Sequence, residues 1–270
     1  MSRRPLLAFL IAACVIGVGL MAMSIAGAPR SLGVAQGGVG LVALVLAAAA
    51  SRWCPRPDEA GARVVCVAAL LLMAAPLAFD GIDGVQRWVA LGPLQIQPAA
   101  ITLPLVVAYV AQERVQWAAV LALMAAGVIG ALQPDGQVLQ GIIAVALCLA
   151  LLVRGGVFWW SAVGISTLLG LTAAFGPPLA PVPYVEEVLP RAFEANWLFG
   201  VAAAVGLAAV PLLMVTSSPR RSATSLALAA LWVGLIATCL SGAYPTPVLG
   251  YGLSWVVGFA LSLGLASRQT

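Results

Sequence analysis

Residues 5–28, PLLAFLIAACVIGVGLMAMSIAGA, carry no charged side chain over 24 consecutive positions. A helix of that length reaches about 36 Å, and the hydrocarbon core of a bilayer is about 30 Å thick. The stretch therefore reads as a membrane span. Arg3 and Arg4 precede it and Ala26-Gly27-Ala28 closes it, in the order of a secretory signal. Its apolar run is longer than the roughly 7–15 residues such signals use, so an uncleaved first helix is expected.

Working outward, the same pattern recurs at 31–51, 61–80, 97–112, 115–133, 136–153, 155–176, 195–216, 222–243 and 247–267. The span 97–112 is short; Pro98 suits its first turn, and Pro104 is expected to kink it. Composition agrees with lipid as the main solvent. The chain is 63% hydrophobic, 8% charged and has a mean hydropathy of +1.08, against roughly a quarter charged residues in soluble domains. The expected fold class is an all-α integral membrane protein, a bundle of about ten transmembrane helices. No stretch between spans is large enough for a second domain, so residues 1–270 are expected to form one.

Orientation follows from the arginines, which are the only basic residues. With the N-terminus inside, Arg3, Arg4, Arg52, Arg56, Arg63, Arg114, Arg154, Arg220, Arg221 and Arg268 fall on the cytoplasmic side. Only Arg30, Arg87 and Arg191 fall outside. Positive charge marks the cytoplasmic loops, and an even helix count then places both termini in the cytoplasm. No basic run suggests nucleic acid as a partner; the charge suits anionic headgroups of the membrane. The chain has no histidine, which removes imidazole acid–base chemistry and His metal sites. Cys14, Cys54, Cys66, Cys148 and Cys239 have no metal or redox spacing and read as small packing residues.

Six of the nine acids, Asp80, Asp83, Asp135, Glu186, Glu187 and Glu194, fall outside. Most suit solvated loop ends. Asp135 differs, because it sits in the short turn Gln133-Pro134-Asp135-Gly136 between two apolar spans. It reads as a cap on the next helix, with a site role open as well. The segment 81–98 is too polar to span and too apolar to be freely solvated. Within it Arg87-Trp88 reads as an interfacial anchor or as a phosphate-binding fork. The proline-rich stretch from Gly176 to Glu194 is expected to be an extended loop rather than a helix. At its end Glu194 or Asn196 is placed to cap the following span. The run Pro247-Val248-Leu249-Gly250-Tyr251-Gly252-Leu253-Ser254 suggests either a backbone break lining a cavity or close packing of small residues.

Taken together, these segments resemble the SEDS proteins (shape, elongation, division and sporulation), the group that includes RodA, FtsW and SpoVE. Gly84-Val85-Gln86-Arg87-Trp88-Val89-Ala90-Leu91-Gly92 followed by Gln97-Pro98 is similar to the family's G-x-x-R-W-I-x-L-G…Q-P-S-E pattern. Gln133-Pro134-Asp135-Gly136 is similar to its Q-P-D-L-G-T turn, and residues 247–254 to its P-F-V-S-Y-G-G-S segment. The resemblance covers roughly residues 60–268. It implies a multi-pass protein of the bacterial inner membrane with an outward cavity for lipid II, the undecaprenyl-pyrophosphate-linked disaccharide. A class B penicillin-binding protein is the implied partner, and a divalent cation is implicated. Polymerising lipid II needs a carboxylate to take a hydroxyl proton and positive charge for the departing pyrophosphate.

On this resemblance the candidate catalytic acids are Asp135 and Glu194. The candidate substrate-binding residues are Arg87, Trp88, Gln97, Gln133, Asn196, Tyr251 and Ser254. The sequence departs from the family at telling points. Ala99, Ala100 and Leu103 follow Gln97-Pro98 where the family has an acid and a lysine. Asn196 stands where the family's H-T-D-F-I-F-A has its aspartate. Three functions remain open: a divergent peptidoglycan glycosyltransferase, a non-catalytic scaffold of the cell-wall machinery, or a flippase of polyprenyl-linked sugars.

Overall fold

The computed structural model describes residues 3–92, 94–173, 176, 179–218 and 222–268. Arg220, Arg221, Pro177 and Pro178 therefore lie outside the described residues. Ten apolar helices are present among those described, together with one short polar helix and one hairpin. Five of the apolar helices are long enough to cross a membrane, counting the short 3₁₀ and π turns that prolong two of them. The chain groups into two compact units, residues 1–54, 179–221 and 236–270, and residues 55–178 and 222–235.

The first unit contains α1 (Arg3–Ile25), α2 (Arg30–Trp53), α8 (Val188–Ala195), α9 (Trp197–Ser217) and α11 (Leu253–Ser267). Here α2 packs on α11 and α1 on α9. Large side chains such as Leu41, Leu46 and Leu212 point outward, while Gln36, Ser254 and Ser262 are buried. This inverts the soluble-protein rule, because lipid accepts apolar surface and polar groups need partners inside the bundle.

The second unit holds α3 (Glu59–Ala74), a hairpin of β1 (Val89–Leu91) and β2 (Leu94–Ile96), α4 (Pro98–Gln112), α5 (Gln116–Leu132), α6 (Gly136–Cys148) and α7 (Val157–Thr172). The division between units falls inside α10 (Ala223–Cys239), whose first 13 residues, through Leu235, belong here. In α10, Gly234 lets the backbone approach α6: a Cβ there would lie 2.5 Å from the Gln140 carbonyl oxygen. Gln137 of α6 donates to the Leu235 carbonyl at 3.0 Å, tying the same two helices.

Two expectations need correction. The stretch before residue 195 is not extended throughout, since Val188–Ala195 is helical. Val188 and Ala192 are buried on one side, and a Glu187–Arg191 pair at 2.7 Å braces the other; Pro190 is tolerated because it lies in the first turn. The last helix begins at Leu253 rather than 247, and the one before it ends at Cys239 rather than 243. The glycines and prolines between them break the helical backbone. Pro104 lies inside α4, which runs from Pro98 to Gln112. The hairpin at 89–96 is an addition to the expected all-helical pattern.

Candidate functional site

In the second unit the turn between α5 and α6 is fixed residue by residue. Gln133 ends α5, and its Nε2 donates to the Met73 carbonyl in the last turn of α3 at 2.7 Å. The Pro134 carbonyl accepts from the Arg87 guanidinium. Asp135 is the N-cap of α6: one carboxylate oxygen accepts from the Val138 amide at 3.2 Å, the other from Gln97 Nε2 at 2.8 Å. Three successive residues thus reach three different elements. The helix cap anticipated for Asp135 is present.

Burial makes this cluster unusual. Arg87 is 7% exposed, Gln97 4%, Asp135 1% and Gln133 0%. The loop before the hairpin delivers Arg87. It is held by a Gln86 bond to the Phe79 carbonyl at 2.7 Å and by reciprocal backbone bonds between Ile82 and Val85. Trp88 is half-buried, and the Arg87 guanidinium carbon lies 5.8 Å from its ring centre. The Gln133 side-chain oxygen, Oε1, is buried without a hydrogen-bond partner. The cluster therefore offers a planar cation suited to phosphate and an unsatisfied acceptor suited to a hydroxyl or amide donor.

The divalent cation implied by resemblance does not fit this cluster. Hard cations need several free oxygen ligands. The cluster's one carboxylate has a nitrogen donor on each oxygen, and a guanidinium is bound to the adjoining carbonyl. Among the described residues no group of three or more Cys, Asp or Glu side chains could hold a metal ion.

The remaining candidates belong to the first unit. Asn196 joins α8 to α9 in extended backbone, and its side-chain oxygen accepts from the Leu198 and Phe199 amides at 2.9 and 3.4 Å. It is a helix cap. Glu194 is exposed on α8. Ser254 is buried in the first turn of α11, and Tyr251 is half-buried just before it.

The break that carries Tyr251 is braced from two directions. On one side Thr246 and Tyr251 amides donate to the Val185 and Tyr184 carbonyls at 2.9 and 2.8 Å. At Gly250 a Cβ would lie 2.3 Å from the Val185 oxygen, so a side chain is excluded there. On the other side stands Gln36 of α2, fully buried. Its Nε2 donates to the Gly250 carbonyl at 3.0 Å and the Val248 carbonyl at 3.4 Å, and its Oε1 accepts from the Gly252 amide at 2.8 Å. The sequence reading missed Gln36. Its signal was a lone carboxamide within an apolar span, where a polar group needs a partner.

At the other end of the second unit Glu113, just beyond α4, is 5% exposed. The Val115 amide at 3.0 Å holds its carboxyl below the usual carboxylate range, with the Tyr109 hydroxyl at 2.7 Å next in effect. Burial opposes this, and Arg63, 3.5 Å away, adds to it. Arg154 closes the same region, donating to the Ala111 carbonyl at 3.1 Å and lying over Trp159. These bonds tie α3, α4 and the start of α7, and read as structural.

The fold and its buried polar turn define a multi-span helical membrane protein. Solved structures identify the fold more closely. An aspartate-to-alanine variant of the Thermus thermophilus rod shape determining protein RodA matches with a TM-score of 0.69 and 22% identity, covering 97% of this chain and 95% of that one. The RodA of the same organism without that change matches at 0.66 and 21% identity, over 97% and 94%. A chain from a peptidoglycan synthase complex that coordinates polymerization and crosslinking matches at 0.62 and 22%, over 99% and 98%. No family model and no curated protein matches the sequence. The chain has the RodA fold over 97% of its length, and the resemblance seen in its motifs holds at the level of fold.

Proposed function

We propose that this chain is a SEDS-like protein of the bacterial inner membrane that binds a polyprenyl-pyrophosphate-linked saccharide and serves the cell-wall machinery as a binding or scaffolding partner. The observation that carries the proposal is the RodA-like fold over 97% of the chain, with Arg87, Gln97, Gln133 and Asp135 gathered at one buried turn. Function is carried here from fold by analogy, and the site chemistry supports the analogy. A buried guanidinium provides the fork that a pyrophosphate requires. The likeness to a peptidoglycan synthase complex supports a transpeptidase of the class B penicillin-binding type as partner.

The reading as a binding protein, rather than an ordinary polymerase, rests on the acids. Asn196 cannot accept a proton at neutral pH, and its oxygen is engaged in capping α9. Asp135 is engaged on both oxygens. Glu194 is an exposed acid on a short helix. Losing a general base removes roughly 10²- to 10⁴-fold in rate.

The test supplies labelled lipid II to the purified protein, with and without a candidate transpeptidase. Saturable binding without polymer is expected, weakened about 10- to 150-fold in Arg87→Ala, as for loss of a charge-assisted bond. Arg87→Lys keeps the charge without the fork and is expected to fall between. Polymer that disappears in Asp135→Ala or Glu194→Ala would establish a glycosyltransferase instead. Movement of lipid II across liposomes without polymer would establish a flippase, and absence of binding would overturn the proposal altogether.

A further inference from the structure

The first unit contains a cavity of about 420 Å³ between the start of α1 and the end of α9. This lies within the roughly 300–1,000 Å³ of small-molecule sites. The α1 wall is Arg4, Leu7, Ala8 and Ile11, spaced i, i+3, i+4 and i+7 along one helix face. Leu213 and Val215 supply the apolar part of the α9 wall, and Thr216 and Ser218 its polar end. The helices run antiparallel: farther along, Gly206 of α9 lies against Val15 and Val18 of α1. The cavity lies at the Arg4 and Ser218 end of this pair, a wedge with an apolar floor and a polar mouth.

Charge decides what fits. No carboxylate lines the cavity among the described residues. The polar end of the α9 wall is itself engaged, because its hydroxyls donate back into the helix. Thr216 donates to the Leu212 carbonyl at 2.8 Å and Ser217 to the Met214 carbonyl at 3.3 Å. Among the described residues Arg4 is the one charged side chain of the lining, and its guanidinium makes the mouth cationic. In sequence, Arg3 adjoins Arg4 and Arg220-Arg221 follow Ser218 by two residues, so the positive-inside rule assigns this end to the cytoplasmic leaflet. Leu7 is 58% exposed and Ile11 38%, which opens the floor to acyl chains rather than to water. Basic pockets between membrane helices on this side suit anionic headgroups.

We infer that the α1–α9 wedge is a binding site for an anionic phospholipid of the inner leaflet, its phosphate on Arg4 and an acyl chain along Leu7, Ile11 and Leu213. This site is independent of the cell-wall reading and stands at the opposite sequence-assigned face from Arg87.

Native mass spectrometry of the detergent-purified full chain tests it, titrating phosphatidylglycerol or phosphatidylcholine of identical chains, with glycerol phosphate as the chain-free arm. Wild type is expected to prefer phosphatidylglycerol about five- to tenfold, the scale of one interfacial arginine. Arg4→Gln should abolish the preference, and Ile11→Trp, which fills the wedge, should lower retention of both lipids. Arg52→Gln should change neither. Unchanged preference in Arg4→Gln would overturn the inference, as would an equal loss in Arg52→Gln. Glycerol phosphate competing as well as the lipid would overturn it too, because the apolar floor would then contribute nothing.

Discussion

Replacing Gln36 by methionine tests how the break before α11 is held. Methionine matches the length of glutamine and fits apolar surroundings, so packing changes little while the carboxamide is lost. The substitution removes the 3.0 Å bond to the Gly250 carbonyl, the weaker 3.4 Å contact with Val248, and the 2.8 Å bond from the Gly252 amide. Each of the two good hydrogen bonds, when its partner is deleted and the backbone group is left unpaired, costs about 1–2 kcal/mol. Because Gln36 is 0% exposed, water does not replace it, and the expected loss is about 2–4 kcal/mol. Expressed as a local opening of residues 246–252, this is roughly a 30- to 1,000-fold faster exchange of the Gly252 amide. Hydrogen exchange read by mass spectrometry over that peptide, with steric trapping for global stability, measures both. Exchange unchanged at Gly252 with a global loss below about 0.5 kcal/mol would refute the idea that Gln36 holds the break.

Asp135→Ala should destabilise by about 2–4 kcal/mol, combining a lost cap with a lost charge-assisted bond from Gln97. Asp135→Asn should cost less than half of that, since its oxygen still caps α6 and Gln97 can turn its amide over; equal losses in thermal unfolding would count against the cap. The depressed folded-state pKa of Glu113 gives a sign to its pH dependence. Its contribution is fully present above the unfolded value of about 4.3 and is lost as pH falls through the lower folded value. The stability gap between wild type and Glu113→Gln should therefore narrow between pH 6 and strongly acidic conditions, and a gap that stays constant would contradict the assignment. At the mouth of α9, Asn196→Ala should cost about 1 kcal/mol for the cap, whereas Asn196→Asp should keep it. On the binding-protein reading Asn196→Asp restores the missing base, and labelled lipid II is expected to yield polymer in that variant and none in wild type; polymer from wild type would contradict it.

The amino-acid order determined the bundle. Spans near 20 apolar residues have few alternatives in lipid, because every backbone polar group must be satisfied within its own segment. The arginine asymmetry likewise assigned an orientation before any packing was known. The capping roles of Asp135 and Asn196 were also legible, since a cap acts on amides two or three residues away. Long-range pairing was not. Gln97 lies 38 residues from Asp135, Arg87 47 from Pro134, and Gln36 more than 200 from the carbonyls it holds. No local period encodes such partners. The helix at Val188–Ala195 was hidden for a related reason: the four prolines before position 184 suggested a loop, while burial of Val188 and Ala192 made the helix worth forming. Local chemistry chose the elements; only packing in three dimensions chose which buried polar groups would meet, because each had to find a partner that water would otherwise have supplied.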